Sequence, residues 1–204
     1  MLYGFGKGLI LSVLALYHRV DIEGKHHIPK EGSFLLVGNH VSYLDPFYIG
    51  ATVPRQIKYM AKKESFDHPV TRWFLQQLDA FSVDRSKPDM GAIRTALKHL
   101  KDGNVVGMFP EGTRSDEGLS QLKQGAAYLA IRSKSPIIPV HISGTDRCLP
   151  RGKTWIRPAK VRIAFGEPIQ IEEGKGKDLQ EKVSQHILTA LQSLAPQMEA
   201  RTES

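Results

Sequence analysis

His40 and Asp45 stand five residues apart in Gly38-Asn39-His40-Val41-Ser42-Tyr43-Leu44-Asp45-Pro46, directly after the apolar run Phe34-Leu35-Leu36-Val37. Positions i and i+5 of a regular helix diverge by about 140° around its axis, so a turn is needed to bring this imidazole and carboxylate together. A carboxylate that accepts from one imidazole N–H fixes the ring tautomer and leaves the other nitrogen as a base. A base held in this way contributes about 10²–10⁴ in rate. A helix cap beside a surface ring would have the same spacing, so the rest of the chain must decide between the two.

The elements that would position this pair follow from the pattern around it. Phe34-Leu35-Leu36-Val37 reads as a buried strand ending at Gly38. Pro46 disfavours helical backbone at Asp45 and is itself a good first helical residue, so Asp45 is expected to cap a short helix that runs to Thr52 and is stopped by Pro54. Gln56 to Ala61 alternates polar and apolar as a half-buried strand does, and Lys62-Lys63-Glu64 follows it as a solvated corner or an anion contact, the corner being favoured by these residues alone. Pro69 to Leu78 is expected to be a helix with Val70, Trp73, Phe74 and Leu78 on one apolar face. Ala80 to Val83 is a strand ending in Asp84-Arg85, and Asp89 caps a helix carrying Ile93, Ala96, Leu97 and Leu100 up to Gly103. Val105 to Phe109 is a further buried strand. Strands separated by helices in this rhythm define an open α/β layer structure, in which reactive residues gather beyond the strand ends.

At 204 residues the chain suits one domain, and no internal repeat is present. The 28 Lys and Arg against 21 Asp and Glu leave +7, which favours anionic partners such as nucleic acid, phosphorylated metabolites or anionic lipid. Cys148 is the sole cysteine, so an internal disulfide and a thiolate metal site are excluded, and a reducing compartment is compatible. The eight histidines include no H-E-x-x-H spacing, and no obligatory metal is expected. Leu9 to Tyr17, flanked by Lys7 and by His18-Arg19, falls short of the roughly 20 apolar residues that span a bilayer. It reads as a helix lying in a membrane interface, the alternatives being an ordinary first helix packed on the core and a signal peptide, for which no clear small-residue cleavage site follows. The expected division is an apolar membrane-interface segment over 1–20, a catalytic domain over 21–196 and a flexible tail over 197–204.

Farther along, Pro110-Glu111-Gly112-Thr113-Arg114-Ser115 combines a strand stop, a glycine that permits close approach and several donors, a set suited to a phosphate monoester, although by itself the segment reads equally as a polar turn. Arg grips two phosphate oxygens at once where Lys cannot. Gln124 to Ser133 reads as a helix. Pro139 interrupts the apolar strand Pro136 to Ile142, which points to an edge or a bulge, and His141 alternates with apolar neighbours as a structural residue does. From Arg147 to Arg162 six basic residues and no acidic one surround Trp155, a composition that fits an acyl carrier's phosphates, a membrane or a solvated loop. Val161 to Phe165 resumes the sheet, and Asp178-Leu179-Gln180-Glu181 is a capping box that opens a last helix with Leu179, Val183, Ile187, Ala190, Leu191 and Leu194 buried.

No G-x-S-x-G elbow occurs, Gly152-Lys153-Thr154 lacks the leading glycine of a phosphate loop, and Cys148 has no assigned base. A His-Asp base without its own nucleophile implies that the substrate supplies the hydroxyl. Nucleic-acid binding is disfavoured because the basic residues show no aromatic stacking array and no reader motif.

Four blocks in order then resemble the lysophosphatidate (1-acyl-sn-glycerol-3-phosphate) acyltransferase family: His40-Val41-Ser42-Tyr43-Leu44-Asp45, Phe81-Ser82-Val83-Asp84-Arg85, Phe109-Pro110-Glu111-Gly112-Thr113-Arg114-Ser115 and Ile138-Pro139-Val140. They span roughly residues 35 to 145. Two positions depart from the family pattern: Asp79 stands where glycine usually opens the second block, and Ser65 where leucine usually follows Lys62-Lys63-Glu64. The resemblance implies a single-domain open mixed sheet flanked by helices, glycerolipid-acyltransferase-like. It implies an acyl-CoA or acyl-carrier-protein thioester as co-substrate with no further cofactor, lysophosphatidic acid as acceptor, and work at the cytoplasmic face of the cell membrane on an anionic surface. It implies His40 and Asp45 as catalytic residues, with Arg85, Glu111, Gly112, Thr113, Arg114 and Lys62 binding substrate. The competing readings are acylation of glycerol 3-phosphate or another lysophospholipid, and a non-catalytic protein that holds anionic lipid. Deleting residues 1–17 is expected to weaken binding to anionic liposomes in a flotation assay, and unchanged binding rejects the interfacial helix.

Overall fold

An apolar run of five residues with no polar side chain suits the middle of a sheet covered on both faces. Residues Phe34–Gly38 form such a strand, β2, buried at every position. The computed structural model describes residues 18–109, 116–150, 155–172, 174 and 176–199, with backbone alone at 116–123 and 196–199. Among these, the strands are β1 (Arg19–Glu23), β2, β3 (Ile57–Lys62), β4 (Phe81–Val83), β5 (Val105–Met108), β6 (Ile137–Ser143) and β7 (Lys160–Phe165). They join one sheet in the order β1-β7-β6-β2-β5-β3-β4. Strands β2 to β6 run parallel, while β7 pairs antiparallel with β6 and parallel with β1, so the sheet is open and mixed.

The helices are α1 (Asp45–Thr52), α2 (Pro69–Gln77), α3 (Met90–Lys101), α4 (Asp116–Ser133), the single turn α5 (Thr145–Cys148) and α6 (Lys177–Glu199). The two-residue period of β2 divides the core. Phe34 and Leu36 pack with Ile57, Tyr59 and Val105 under Tyr48 and Ile49 of α1. Leu35 and Val37 pack with Val106 and Met108 under Ala96 and Leu100 of α3, Ala126, Ala127 and Ala130 of α4, and Val183, Ile187 and Leu191 of α6. Each fully buried Leu or Val of this kind contributes about 1.5–3 kcal/mol. The alanines of α4 let that helix lie close on the sheet, and the helix begins at Asp116, ahead of the expected start at Gln124.

Pro139 is not on an edge: β6 lies between β7 and β2. Its carbonyl accepts from Gly166 N at 2.9 Å on the β7 side, and the N and C=O of one strand residue point to the same side, so the missing N–H is also on that side. There the pairing is irregular, with Ile137 bridged to Ile169 while Pro139 meets Gly166, so the outer chain carries one residue more. The ladder to β2 is therefore untouched, and the bulge alternative holds. Helix α2 forms as expected, and most of its apolar face is exposed, with Val70 at 54%, Trp73 at 55% and Phe74 at 43%. His18 is buried and β1 starts at Arg19. At the other end α6 runs to Glu199. The N-terminal apolar segment 1–17 lies outside the described residues, and no described helix is long and apolar enough to cross a membrane.

Gly107 of β5 has a particular reason to lack a side chain. A Cβ there would lie 2.6 Å from Ile57 Cγ2 and 2.8 Å from Tyr59 Cδ1. Overpacking of this kind costs about 1–3 kcal/mol, so Gly107→Ala is expected to lower the urea midpoint by a corresponding amount without changing the slope. A midpoint equal to the parent's would show that the tyrosine ring moves freely.

Candidate active site

The site is assembled where β2 runs out. Asn39 turns its amide sideways, donating to Ile142 O at 2.8 Å and accepting from Ile142 N at 2.7 Å, so its side chain replaces the next rung of the ladder. The main chain is thereby released from the sheet and turns, with Asp45 N donating to Ser42 O at 3.1 Å. This turn aims the Val41 and Ser42 amides at Asp45 Oδ2, at 2.7 and 2.8 Å. Asp45 is wholly buried as the first residue of α1. It does not cap that helix as expected: Leu44 occupies the cap without a side-chain bond, and the carboxylate reaches back to the preceding turn.

His40 Nδ1 lies 2.8 Å from the same Oδ2. A carboxylate oxygen already accepting two backbone N–H groups has an acceptor's role toward the ring as well, so Nδ1 carries the proton and Nε2 is left with its lone pair. The other carboxylate oxygen, Oδ1, accepts from the Thr145 hydroxyl at 2.5 Å. The two side chains of the pair differ sharply in exposure, 27% for His40 against 0% for Asp45, which puts the acidic member inside and the basic one at the surface. Below the imidazole, Phe109 stacks at 4.7 Å and 24°. Tyr59 stacks in turn on Phe109 at 5.8 Å and 7°, and its hydroxyl donates to Pro46 O at 2.9 Å. The ring is thus held at one edge by Asp45 and on one face by an aromatic column resting over Gly107.

The parallel strands bring further groups to the same edge of the sheet. His40 follows β2, Lys62 ends β3, Arg85 follows β4, Phe109 follows β5 and Thr145 follows β6. Lys62 Nζ lies 3.5 Å from Glu64 Oε1, where Lys63–Phe66 forms a single 3-10 turn. Arg85 has a buried Nε that meets no hydrogen-bond partner among the described residues. Burial lowers its guanidinium below the ordinary value, and the Glu64 carboxylate pulls the other way. The loop that carries it is tied on both sides: Asp84 accepts from Ser86 N at 3.0 Å and Ser86 Oγ at 2.6 Å, which holds its carboxyl below the usual range, and Asp89 accepts from Asp84 N at 2.9 Å. Asp89 also caps α3 as expected, through Ala92 N at 2.9 Å. Asp79 adopts φ 52°, in the left-handed region that favours glycine. Its carboxylate takes Lys58 Nζ and Gln56 Nε2, which occupies the side chain away from Arg85. Glu111, Gly112, Thr113 and Arg114 lie outside the described residues.

Asn39, Tyr59 and Thr145 were not singled out in the sequence. Thr145 is 100 positions from Asp45, and no local spacing connects them.

An open, largely parallel sheet with an oriented imidazole at one edge and a partly desolvated guanidinium at the same edge is a site for moving a proton beside an anion. The family model described as Acyltransferase matches residues 19–143. The chain is 34% identical over 169 residues to a 1-acyl-sn-glycerol-3-phosphate acyltransferase of Bacillus subtilis, covering 82% of each chain. It is 33% identical over 206 residues to the enzyme of the same name from Streptococcus pneumoniae, covering 95% of this chain and 73% of the other. The crystal structure of the 1-acyl-sn-glycerophosphate (LPA) acyltransferase PlsC from Thermotoga maritima superposes with a TM-score of 0.67 at 29% identity, over 94% of this chain and 78% of that one. The chain belongs to the acyltransferase family, as the four sequence blocks implied.

The asymmetry of the pair has a consequence for stability. Asp45→Ala strands two amides, a hydroxyl and a ring N–H in a buried place, each loss being worth up to about 1–3 kcal/mol, so a loss of about 3 kcal/mol or more is expected by denaturant unfolding. His40→Ala removes a partly exposed ring and is expected to stay within about 1.5 kcal/mol of the parent. Equal losses for the two would contradict the burial of the carboxylate.

Proposed function

We propose that this acyltransferase moves a fatty acyl group from an acyl-CoA or acyl-carrier-protein thioester to the sn-2 hydroxyl of 1-acyl-sn-glycerol 3-phosphate, forming phosphatidic acid, with His40 as general base. The observation that carries this reading is the His40 Nδ1 to Asp45 Oδ2 contact at 2.8 Å, which leaves Nε2 as the acceptor. The acceptor class is supported by the relatives from Bacillus subtilis and Streptococcus pneumoniae, both named 1-acyl-sn-glycerol-3-phosphate acyltransferases.

In this mechanism the acceptor hydroxyl gives its proton to His40 Nε2 as its oxygen forms a bond to the thioester carbonyl carbon. The imidazolium is stabilised by the Asp45 carboxylate. Collapse of the tetrahedral oxyanion breaks the C–S bond, and the departing thiolate takes the proton back from Nε2. No acyl-protein stage is involved. The acceptor phosphate meets Arg85, whose buried Nε has no partner among the described residues. Lys62 adds positive charge at the same sheet edge, and Arg114 with Glu111, Gly112 and Thr113 completes the glycerol phosphate site. The lipid-facing side is formed by Tyr43 at 79% exposure with the bare apolar face of α2, and the +7 charge favours an anionic membrane at its cytoplasmic face.

Purified protein incubated with labelled oleoyl-CoA or oleoyl-acyl carrier protein and a panel of lyso-acceptors tests the assignment by product identification. Phosphatidic acid from lysophosphatidate is the expected product; acylation of glycerol 3-phosphate alone moves the acceptor, and no thioester consumption at all leaves a lipid binder. His40→Ala is expected to lower kcat by about 10²–10⁴. Arg85→Met is expected to raise the acceptor KM by about 10-fold or more, since a charge-assisted hydrogen bond is worth about 1.5–3 kcal/mol, with the thioester KM unchanged. Its folding stability should not fall, because the buried Nε has no hydrogen-bond partner to lose among the described residues.

A further inference from the structure

The carboxylate that aligns His40 is held from two directions, and the second comes from a distant part of the chain. Oδ2 receives His40 Nδ1, Val41 N and Ser42 N, all from the loop in which Asp45 itself sits. Among the described residues, Oδ1 receives the Thr145 hydroxyl, which belongs to α5 beyond the end of β6. Contacts on one oxygen alone allow the carboxylate plane to pivot about that oxygen. A contact on the second oxygen removes that freedom, and with it the means by which Oδ2 would leave the imidazole.

The hydroxyl is placed by the fold independently of Asp45. Gly144 has φ 87°, and a Cβ there would stand 2.1 Å from Lys160 O, so the chain leaves β6 through a turn that only glycine accommodates. One turn on, Cys148 is wholly buried with its sulfur 3.8 Å from the Tyr48 hydroxyl, and its carbonyl accepts from Arg157 N at 2.8 Å. Tyr48 lies one helical turn after Asp45, as Cys148 does after Thr145, so α1 and α5 face each other through two rungs. Thr145 is itself fully buried, which commits its hydroxyl proton to Oδ1.

We propose that Thr145 is a positioning residue for acyl transfer: by donating to Oδ1 it fixes the rotation of the Asp45 carboxylate and so keeps His40 in the tautomer with Nε2 unprotonated. This rests on the reading of His40 as the base. The role belongs to the hydroxyl and not to the bulk of the side chain.

Serine and alanine at this position isolate the hydroxyl, since both lack the methyl group and differ in the oxygen alone. Thr145→Ala is expected to lower kcat by about 10- to 100-fold, a fraction of the full general-base contribution, with both KM values within about 2-fold. Thr145→Ser is expected to recover most of that loss. In an Asp45→Asn background the alanine change should add no further loss. Ring nitrogen spectra of protein labelled with ¹⁵N-histidine provide a second readout that needs no substrate: the parent and Thr145→Ser should show His40 with Nδ1 protonated, and Thr145→Ala a mixture of tautomers. Equal kcat for the serine and alanine variants together with an unchanged His40 ring pattern overturns the proposal. A parent enzyme inactive on lysophosphatidate would count against the acceptor assignment, while the ring spectra would still decide the role of Thr145.

Discussion

A carboxylate removed from water must be surrounded by donors, and the groups that meet this demand for Asp45 determine how three parts of the chain come together. Leaving it unpaired would cost several kcal/mol. Two amides can reach Oδ2 only if residues 41 and 42 turn tightly back toward α1, and that turn in turn swings His40 out at the strand end. The Thr145 hydroxyl can reach Oδ1 only if α5 is seated against α1. The orientation of the imidazole is therefore a by-product of satisfying a buried charge, and the end of β2, the start of α1 and the end of β6 are joined through one functional group.

The second rung between α1 and α5 reinforces this joint without adding charge to it. The Tyr48 hydroxyl sits 2.7 Å from His18 Nδ1 and 3.8 Å from Cys148 Sγ, and His18 Nε2 donates to the Arg157 carbonyl at 2.9 Å. Burial pushes both the Tyr48 phenol and the Cys148 thiol up from their ordinary values, so each stays neutral through the physiological range. This network connects the residue before β1, α1, α5 and the segment before β7, and it anchors the two short helical pieces that present Asp45 and Thr145. The aromatic column formed by His40, Phe109 and Tyr59 does the same work for the face of the ring, and it fits because Gly107 clears space for Tyr59.

Local rules made much of this legible. The extent of α1 followed from Pro46 and Pro54, the cap of α3 from Asp89, and the buried strand β2 from an unbroken apolar run. The proximity of His40 and Asp45 followed from helical geometry, because a spacing that no helix can close requires a turn. What escaped depends on contacts between distant segments. Asn39 pairs with Ile142 and Asp45 with Thr145, each across about a hundred residues, and neither residue type nor spacing encodes such a meeting. Pro139 misled because a proline argues for an edge, whereas its missing N–H here falls opposite a bulge and leaves the inner ladder intact. The apolar side of α2 showed the right helical period for a core face, yet periodicity records only that one side is apolar and not which neighbour covers it. Asp79 at a left-handed φ explains why its position suits glycine, a backbone property that a sequence displays only by comparison with relatives.

The two sides of the site differ in how completely they are satisfied, and the difference suits their proposed tasks. On the proton-transfer side every acceptor position of the buried carboxylate that the structure describes is matched to a donor, so no reorganisation is needed when positive charge develops on the imidazole. On the proposed anion side the Arg85 guanidinium is partly stripped of water while its Nε meets no partner among the described residues. A site of that kind is destabilised until an anion arrives, and the desolvation already incurred in folding strengthens the interaction when it does. In the proposed mechanism, binding of the acceptor phosphate at Arg85 would complete the electrostatics of the site and bring the acceptor's hydroxyl to the sheet edge where His40 stands.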